Sequence, residues 1–166
     1  VDGAYFERLK RRAAEAGLED SIEFLGEQST AELVTLYRRC RVFVFPSTAE
    51  TFGNPLVEAM ACGAPVACSN AAAMPEIAGD GAIFFDPDDV GDMADVIRRF
   101  LEDGALGREM SEKALARARR FSWRRTAAET IAVLKSEIKS AMTYPIVSLV
   151  MVLGITVFLL VFIIPK

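Results

Sequence analysis

Four short apolar runs, broken only by Glu23, set between helix-like stretches do most to limit what this chain can fold into. They are residues 22–25, 42–45, 65–68 and 82–85. None alternates polar with apolar, as a strand with one wet face would. Strands apolar on both sides belong to parallel sheets whose crossover helices cover both faces. The segments between the runs can supply those helices. Residues 4–16 read as a helix stopped by Gly17. Ser29 or Thr30 can cap a second, with Glu32 in its first turn and Leu33, Val34, Leu36 and Tyr37 as its buried stripe. A third spans residues 55–61 and ends at Gly63, and two or three more occupy residues 90–134. Met60, Met93 and Met110 fall at core positions of these helices.

The expected fold is therefore a Rossmann-like, doubly wound parallel α/β sheet. Such sheets bind ligands beyond the carboxyl ends of their strands. The loop at residues 46–54 leaves one such end. Asn54 stands where an N-cap belongs, and Pro55 at the first helical position gives up an N–H that would have no partner anyway. The remaining free amides and the helix dipole suit an anion such as a diphosphate. Gly53 would let the backbone approach a ligand closely. Glu58 lies one turn into the helix and Glu50 in the loop before it. Carboxylates can grip vicinal diols by paired hydrogen bonds. Two glutamates at this spacing also fit a loop charge and a solvent-facing helix residue. The Phe52-Gly53-Asn54-Pro55 setting between them favours the site.

Composition narrows the classes. The net charge of −4 argues against a nucleic-acid partner. With no histidine, triads, metal sites and general bases that need one are excluded within the chain. Cys40, Cys62 and Cys68 lack metal spacing and sit in apolar contexts, as reduced core thiols do in a cytosolic setting. Charge is unevenly placed. Residues 76–103 carry nine acids and two arginines, and residues 105–139 carry nine bases and four acids. The basic stretch fits a solvated helix face or contact with anionic lipid.

Hydrophobic content is 52%, and the tail supplies the excess. Residues 141–165 contain no charge, and residues 145–164 are long enough to cross a bilayer as a helix. A core helix would need a polar face, which this run lacks. Lys135 and Lys139 before the run outnumber Lys166 after it, which places the preceding residues on the cytoplasmic side.

From Asp2 to about Leu134 the chain resembles the C-terminal, donor-binding domain of retaining GT-B glycosyltransferases, the glycosyl transferases group 1. The resemblance rests on Asp2-Gly3, Phe24-Leu25-Gly26, Leu36-Tyr37 and the run from Val42 to Ser47. It continues through the run from Glu50 to Gly63, Pro65-Val66, Pro75-Glu76-Ile77, Gly79-Asp80, Phe85-Asp86-Pro87 and Phe121-Ser122-Trp123. It implies that Glu50 contacts the transferred sugar as the catalytic residue and Glu58 the nucleotide ribose. It also implies that the backbone at Phe52, Gly53, Asn54 and Leu56 lines the diphosphate and sugar. The reaction implied is hexosyl transfer from a nucleoside diphosphate sugar to an acceptor hydroxyl with retention, without cofactor or required metal. Residues 69–75 resemble segments of mannosyl- and related hexosyltransferases.

The same resemblance predicts a truncated domain over residues 1–134, lacking its first strand and the N-terminal acceptor domain, and so inactive alone. Val1 in place of Met accords with a piece of a longer protein. The segment from Lys139 to Lys166 resembles instead a membrane segment of the type II secretion and type IV pilus F family, through Tyr144-Pro145 at its entry and Pro165-Lys166 at its exit. Residues 135–166 then form a separate transmembrane-type helix, anchoring the chain at the cytoplasmic face. Two families meeting without a linker predict a joined fragment rather than an evolved architecture. The alternatives are a non-enzymatic inner-membrane component of a secretion or pilus platform, and a sugar-phosphate isomerase of the GT-B type. Trp123, after Phe121-Ser122, is expected to be a packing anchor rather than a stacking platform for sugar, with Ser122 as cap and Phe121 as staple.

Overall fold

The computed structural model describes residues 3–159. Three parallel strands, β1 (Phe43–Phe45), β2 (Val66–Ser69) and β3 (Ile83–Phe85), lie in the order β1-β2-β3. Val44 is in register with Ala67, and Cys68 with Phe84. Seven α-helices accompany them: α1 (Gly3–Glu15), α2 (Thr30–Arg39), α3 (Asn54–Ala61), α4 (Met74–Ala78), α5 (Val90–Glu102), α6 (Gly104–Ala118) and α7 (Trp123–Phe158).

The central strand is buried at every position, and its alternate residues feed different cores. Val66 and Cys68 join Leu56 and Met60 of α3, Met74 and Ile77 of α4, and Ala114 and Ala118 of α6. Ala67 joins Phe85, Val96 and Phe100 of α5, and Met110 of α6. Both faces of the sheet are thus covered, as the apolar runs require. Cys68 is fully buried, and burial pushes its thiol up to about 12, so it is inert near neutral pH. Met60 and Met110 are buried and Met93 packs against the cluster of Met110, as expected of core methionines.

The run at residues 22–25 does not become a strand. It is extended but unpaired, and Ile22, Phe24 and Leu25 are exposed. An apolar run becomes a strand only where a neighbour accepts its backbone hydrogen bonds, and β1 pairs with β2 alone among the described residues. Phe24 instead meets Phe6 of α1 edge to face at 5.1 Å.

Helix α2 begins as its sequence dictates. The Ser29 backbone N–H donates to Glu32 Oε2 at 2.8 Å, and the Glu32 N–H donates back to Ser29 Oγ at 3.4 Å. This reciprocal cap satisfies two amides that the helix leaves unpaired. The Ser29 hydroxyl, donating to the same Glu32 Oε2 at 2.6 Å, and then the Ser29 N–H hold the Glu32 carboxyl below its ordinary pKa. Ser29→Ala is expected to lower stability by about 1 kcal/mol, measurable by chemical denaturation. An unchanged midpoint would show that the cap contributes nothing.

Helix α7 runs without interruption through residues 134 and 135, so the expected boundary between two units falls inside one helix. None of its residues is buried, unlike a core helix of a soluble domain. Its second half is long and apolar enough to cross a membrane. There Thr143 and Thr156 donate their hydroxyls to the carbonyls of Lys139 and Val152, so neither needs water. The expected exit at Pro165-Lys166 lies outside the described residues, as does Asp2.

Candidate active site

Strands β1, β2 and β3 all end on one side, and the loop at residues 46–53 leaves β1 there. Buried Ser69 at the end of β2 ties this loop down by donating its hydroxyl to the Ser47 carbonyl. The loop then turns into α3 through Gly53.

The turn differs from the expected one. Gly53, not Asn54, is the N-cap, with φ of 73° and ψ of 61°. That left-handed conformation is open to glycine at little cost, and it outweighs the preference for asparagine at a cap. Asn54 and Pro55 therefore become the first two helical residues. Gly53 is also not left bare for a ligand. A Cβ there would lie 3.0 Å from Met74 Cε and 3.3 Å from Phe45 Cε1, so the chain's own side chains fill that space.

The backbone donors divide. The Leu56 amide donates to the Gly53 carbonyl at 3.0 Å, and Leu56 is fully buried. The amides of Phe52, Gly53 and Asn54 have no backbone acceptor among the described residues. Gly53 is buried, whereas Phe52 and Asn54 are exposed.

Phe52, Asn54 and Glu58 line one cleft of about 550 Å³. The volume falls in the range of small-molecule sites. Asn54 and Glu58 share a helix face with Val57 and Ala61, at the 3.6-residue period, and those two also line the cleft. Phe121, Ser122, Trp123 and Thr126, around the start of α7, line the same cleft. Glu50 is half-buried in the loop and is not part of these walls. The structure thus brings Glu58 together with Phe52 and Asn54, and leaves Glu50, Gly53 and Leu56 outside their cleft. Among the described residues no three acidic or cysteine side chains converge as metal ligands do.

Two neighbours of Glu58 had no local signal in sequence. Tyr37 of α2 is buried nearby. Burial first, and then the charge of Glu58, raises its phenol above the ordinary value. Trp123 is 82% exposed, which corrects its expected role as a packing anchor. Ser122 occupies the N-cap but its side chain makes no cap bond. Phe121 contacts Phe52 edge to face at 5.6 Å, rather than stapling α7.

The glycosyl transferases group 1 model matches residues 2–117. The chain belongs to this glycosyltransferase family. O-antigen chain mannosyltransferase B of Escherichia coli is 40% identical to this glycosyltransferase-family chain over 114 residues, 69% of the chain and 30% of that protein. Serotype-specific mannosyltransferase WbdA of Escherichia coli is 43% identical over 128 residues, 76% of the chain and 16% of that protein. Among solved structures, Anabaena HepE in complex with UDP-glucose aligns with a TM-score of 0.75 and 28% identity, over 81% of this chain and 38% of that one. The family chain therefore spans less than two fifths of each of these relatives. Its parallel sheet with flanking helices is the Rossmann-like fold of GT-B glycosyltransferases.

Proposed function

We propose that the chain seats a nucleoside diphosphate sugar for retaining hexosyl transfer to an acceptor hydroxyl. The carrying observation is that Glu58 lines one cleft with exposed Phe52 and Asn54, whose amides have no hydrogen-bond acceptor among the described residues. In this reading the amides and the dipole of α3 hold the diphosphate, and the Glu58 carboxylate accepts hydrogen bonds from the ribose diol. Glu50, just ahead on the same loop, contacts the transferred hexose. The bond from the anomeric carbon to the diphosphate oxygen breaks, a bond to the acceptor oxygen forms, and the acceptor proton is released. Negative charge grows on the departing diphosphate, and donors already aimed at it lower the barrier. The reading calls for no cofactor and no metal.

The relatives support the donor class: two are mannosyltransferases, and HepE is complexed with UDP-glucose. The exposed, uncharged half of α7 supports attachment to a membrane, with Lys135 and Lys139 at the cytoplasmic face and the catalytic domain at residues 1–134 above it. A likeness of this tail to the secretion F family rests on its Tyr144-Pro145 entry alone among the described residues.

Calorimetric titration of the full chain in nanodiscs with UDP, GDP and ADP tests the donor reading. Binding of at least one nucleoside diphosphate is expected, and binding of none would refute it.

A further inference from the structure

The half of α7 that precedes its uncharged run has two unlike faces. An α-helix turns about 100° per residue. Ala127, Ile131, Leu134, Ile138, Ala141 and Met142 then fall within one stripe, about 100° wide. Arg124, Lys135 and Lys139 lie along one edge of it. Glu137 lies by the other edge, and Arg125 and Glu129 are on the opposite face. The stripe is bare. Ile131, Leu134, Ile138 and Met142 are each at least 50% exposed, and no residue of α7 is buried. Apolar side chains left in water forgo the stabilisation of burial, so a helix of this pattern needs a surface to cover it.

The charges and the rest of the helix point to that surface. An apolar stripe edged by basic residues suits the interface of an anionic bilayer. The aliphatic side chains enter the acyl boundary, and the basic stems reach back to the phosphates. The same helix continues into the run that is long and apolar enough to cross a membrane, so a bilayer entered by that run begins where the stripe ends. Pro145 stands at the junction. A proline inside a helix removes one backbone hydrogen bond and lets the axis bend. One turn earlier the Thr143 hydroxyl donates to the Lys139 carbonyl at 3.1 Å, a bond that often bends helices. A second copy of the chain is a poorer cover. Packed in parallel along the stripe, it would set Thr130 beside Lys135 and Glu137 beside Met142, pairing no opposite charges.

We propose that residues 127–142 form an interfacial helix on the anionic surface of the membrane that the rest of α7 enters, with the turn at Pro145. This rests on the membrane attachment read above and is independent of the donor reading. It holds the domain against the bilayer, where an upright α7 would raise it about 30 Å on a bare stalk.

The experiment puts one tryptophan on each face of the full chain, reconstituted in vesicles of phosphatidylcholine and phosphatidylglycerol. Trp123→Phe removes the only tryptophan of the chain. Leu134→Trp then reports from the stripe, and Ser136→Trp from the face opposite. Lipid brominated along its acyl chains is expected to quench the Leu134→Trp reporter, and aqueous iodide the Ser136→Trp reporter. Lys135→Gln with Lys139→Gln should weaken the lipid quenching, because each basic side chain at an anionic surface strengthens the contact about fivefold. Vesicles of phosphatidylcholine alone should weaken it in the same way. Flotation of the vesicles reads attachment separately. A chain that floats while its Leu134→Trp reporter stays open to iodide would overturn the interfacial helix and spare the anchor. A reporter shielded from both quenchers would do the same, because protein, a second copy included, then covers the stripe. Equal lipid quenching of both reporters would also overturn it, by sinking the whole segment in the bilayer. Lipid quenching unchanged by the two lysine substitutions would overturn the anionic surface as its partner. A chain that does not float would overturn both readings.

Discussion

Glu58→Ala should weaken nucleoside diphosphate binding at least about a hundredfold and leave the fold intact. A carboxylate accepting two hydrogen bonds from a diol contributes about 1.5–3 kcal/mol for each, and the substitution removes both. The fold depends little on this side chain. Glu58 is exposed, and it enters none of the three salt bridges among the described residues. Substitutions at such positions usually change stability by less than about 0.5 kcal/mol. Glu58→Gln keeps the shape and an acceptor but loses the charge, and should fall between. An independent readout comes from Tyr37. Burial is the larger cause of its raised pKa and the charge of Glu58 the next, so removing that charge should lower the phenol's titration while leaving it above the ordinary value. Because the neutral phenol is favoured in the folded chain, its contribution to stability is complete below the unfolded pKa and lost as pH rises through the folded one. Less is lost on that alkaline limb in Glu58→Ala. Nucleotide affinity within threefold of wild type would remove Glu58 from the site.

Gly53→Val should be the most damaging change in the loop. Gly53 holds a left-handed φ of 73° that a β-branched residue reaches only under strain, at about 1–3 kcal/mol. Its new Cβ would also sit 3.0 Å from Met74 Cε and 3.3 Å from Phe45 Cε1, both in or against the main core. Overpacking of this kind costs about 1–3 kcal/mol more. The sum corresponds to a loss in Tm of roughly 5–15 °C for a chain of this size. Gly53→Ala should show a smaller loss of the same origin. In both variants nucleotide binding should fall further than stability alone explains, because Gly53 sets where α3 starts. A Tm within about 1 °C of wild type would show that the turn is not fixed by this residue.

Local chemistry made much of the architecture legible. Ser29 and Glu32 announce the start of α2 because their hydrogen bonds lie within four residues. The runs of β1, β2 and β3 are apolar because both faces of the sheet are covered. Apolarity cannot say whether a strand finds a neighbour, and so residues 22–25 were misread. Asn54 was favoured as a cap by its side chain, whereas the positive φ of Gly53 depends on how the loop returns to Met74 and Phe45. Val57 and Ala61 are legible as cleft residues from their three-residue helical spacing to Asn54 and Glu58 respectively. Trp123 and Tyr37 are not. They reach the same site from α7 and α2, by packing between elements far apart in sequence.

The most direct test is an amide-resolved NMR titration of the isotope-labelled full chain in nanodiscs, with the nucleoside diphosphate that binds tightest. The largest shifts are expected at the amides of Phe52 and Asn54 and around Glu58. Shifts confined to residues away from the start of α3, with those three unmoved, would contradict the proposed seat.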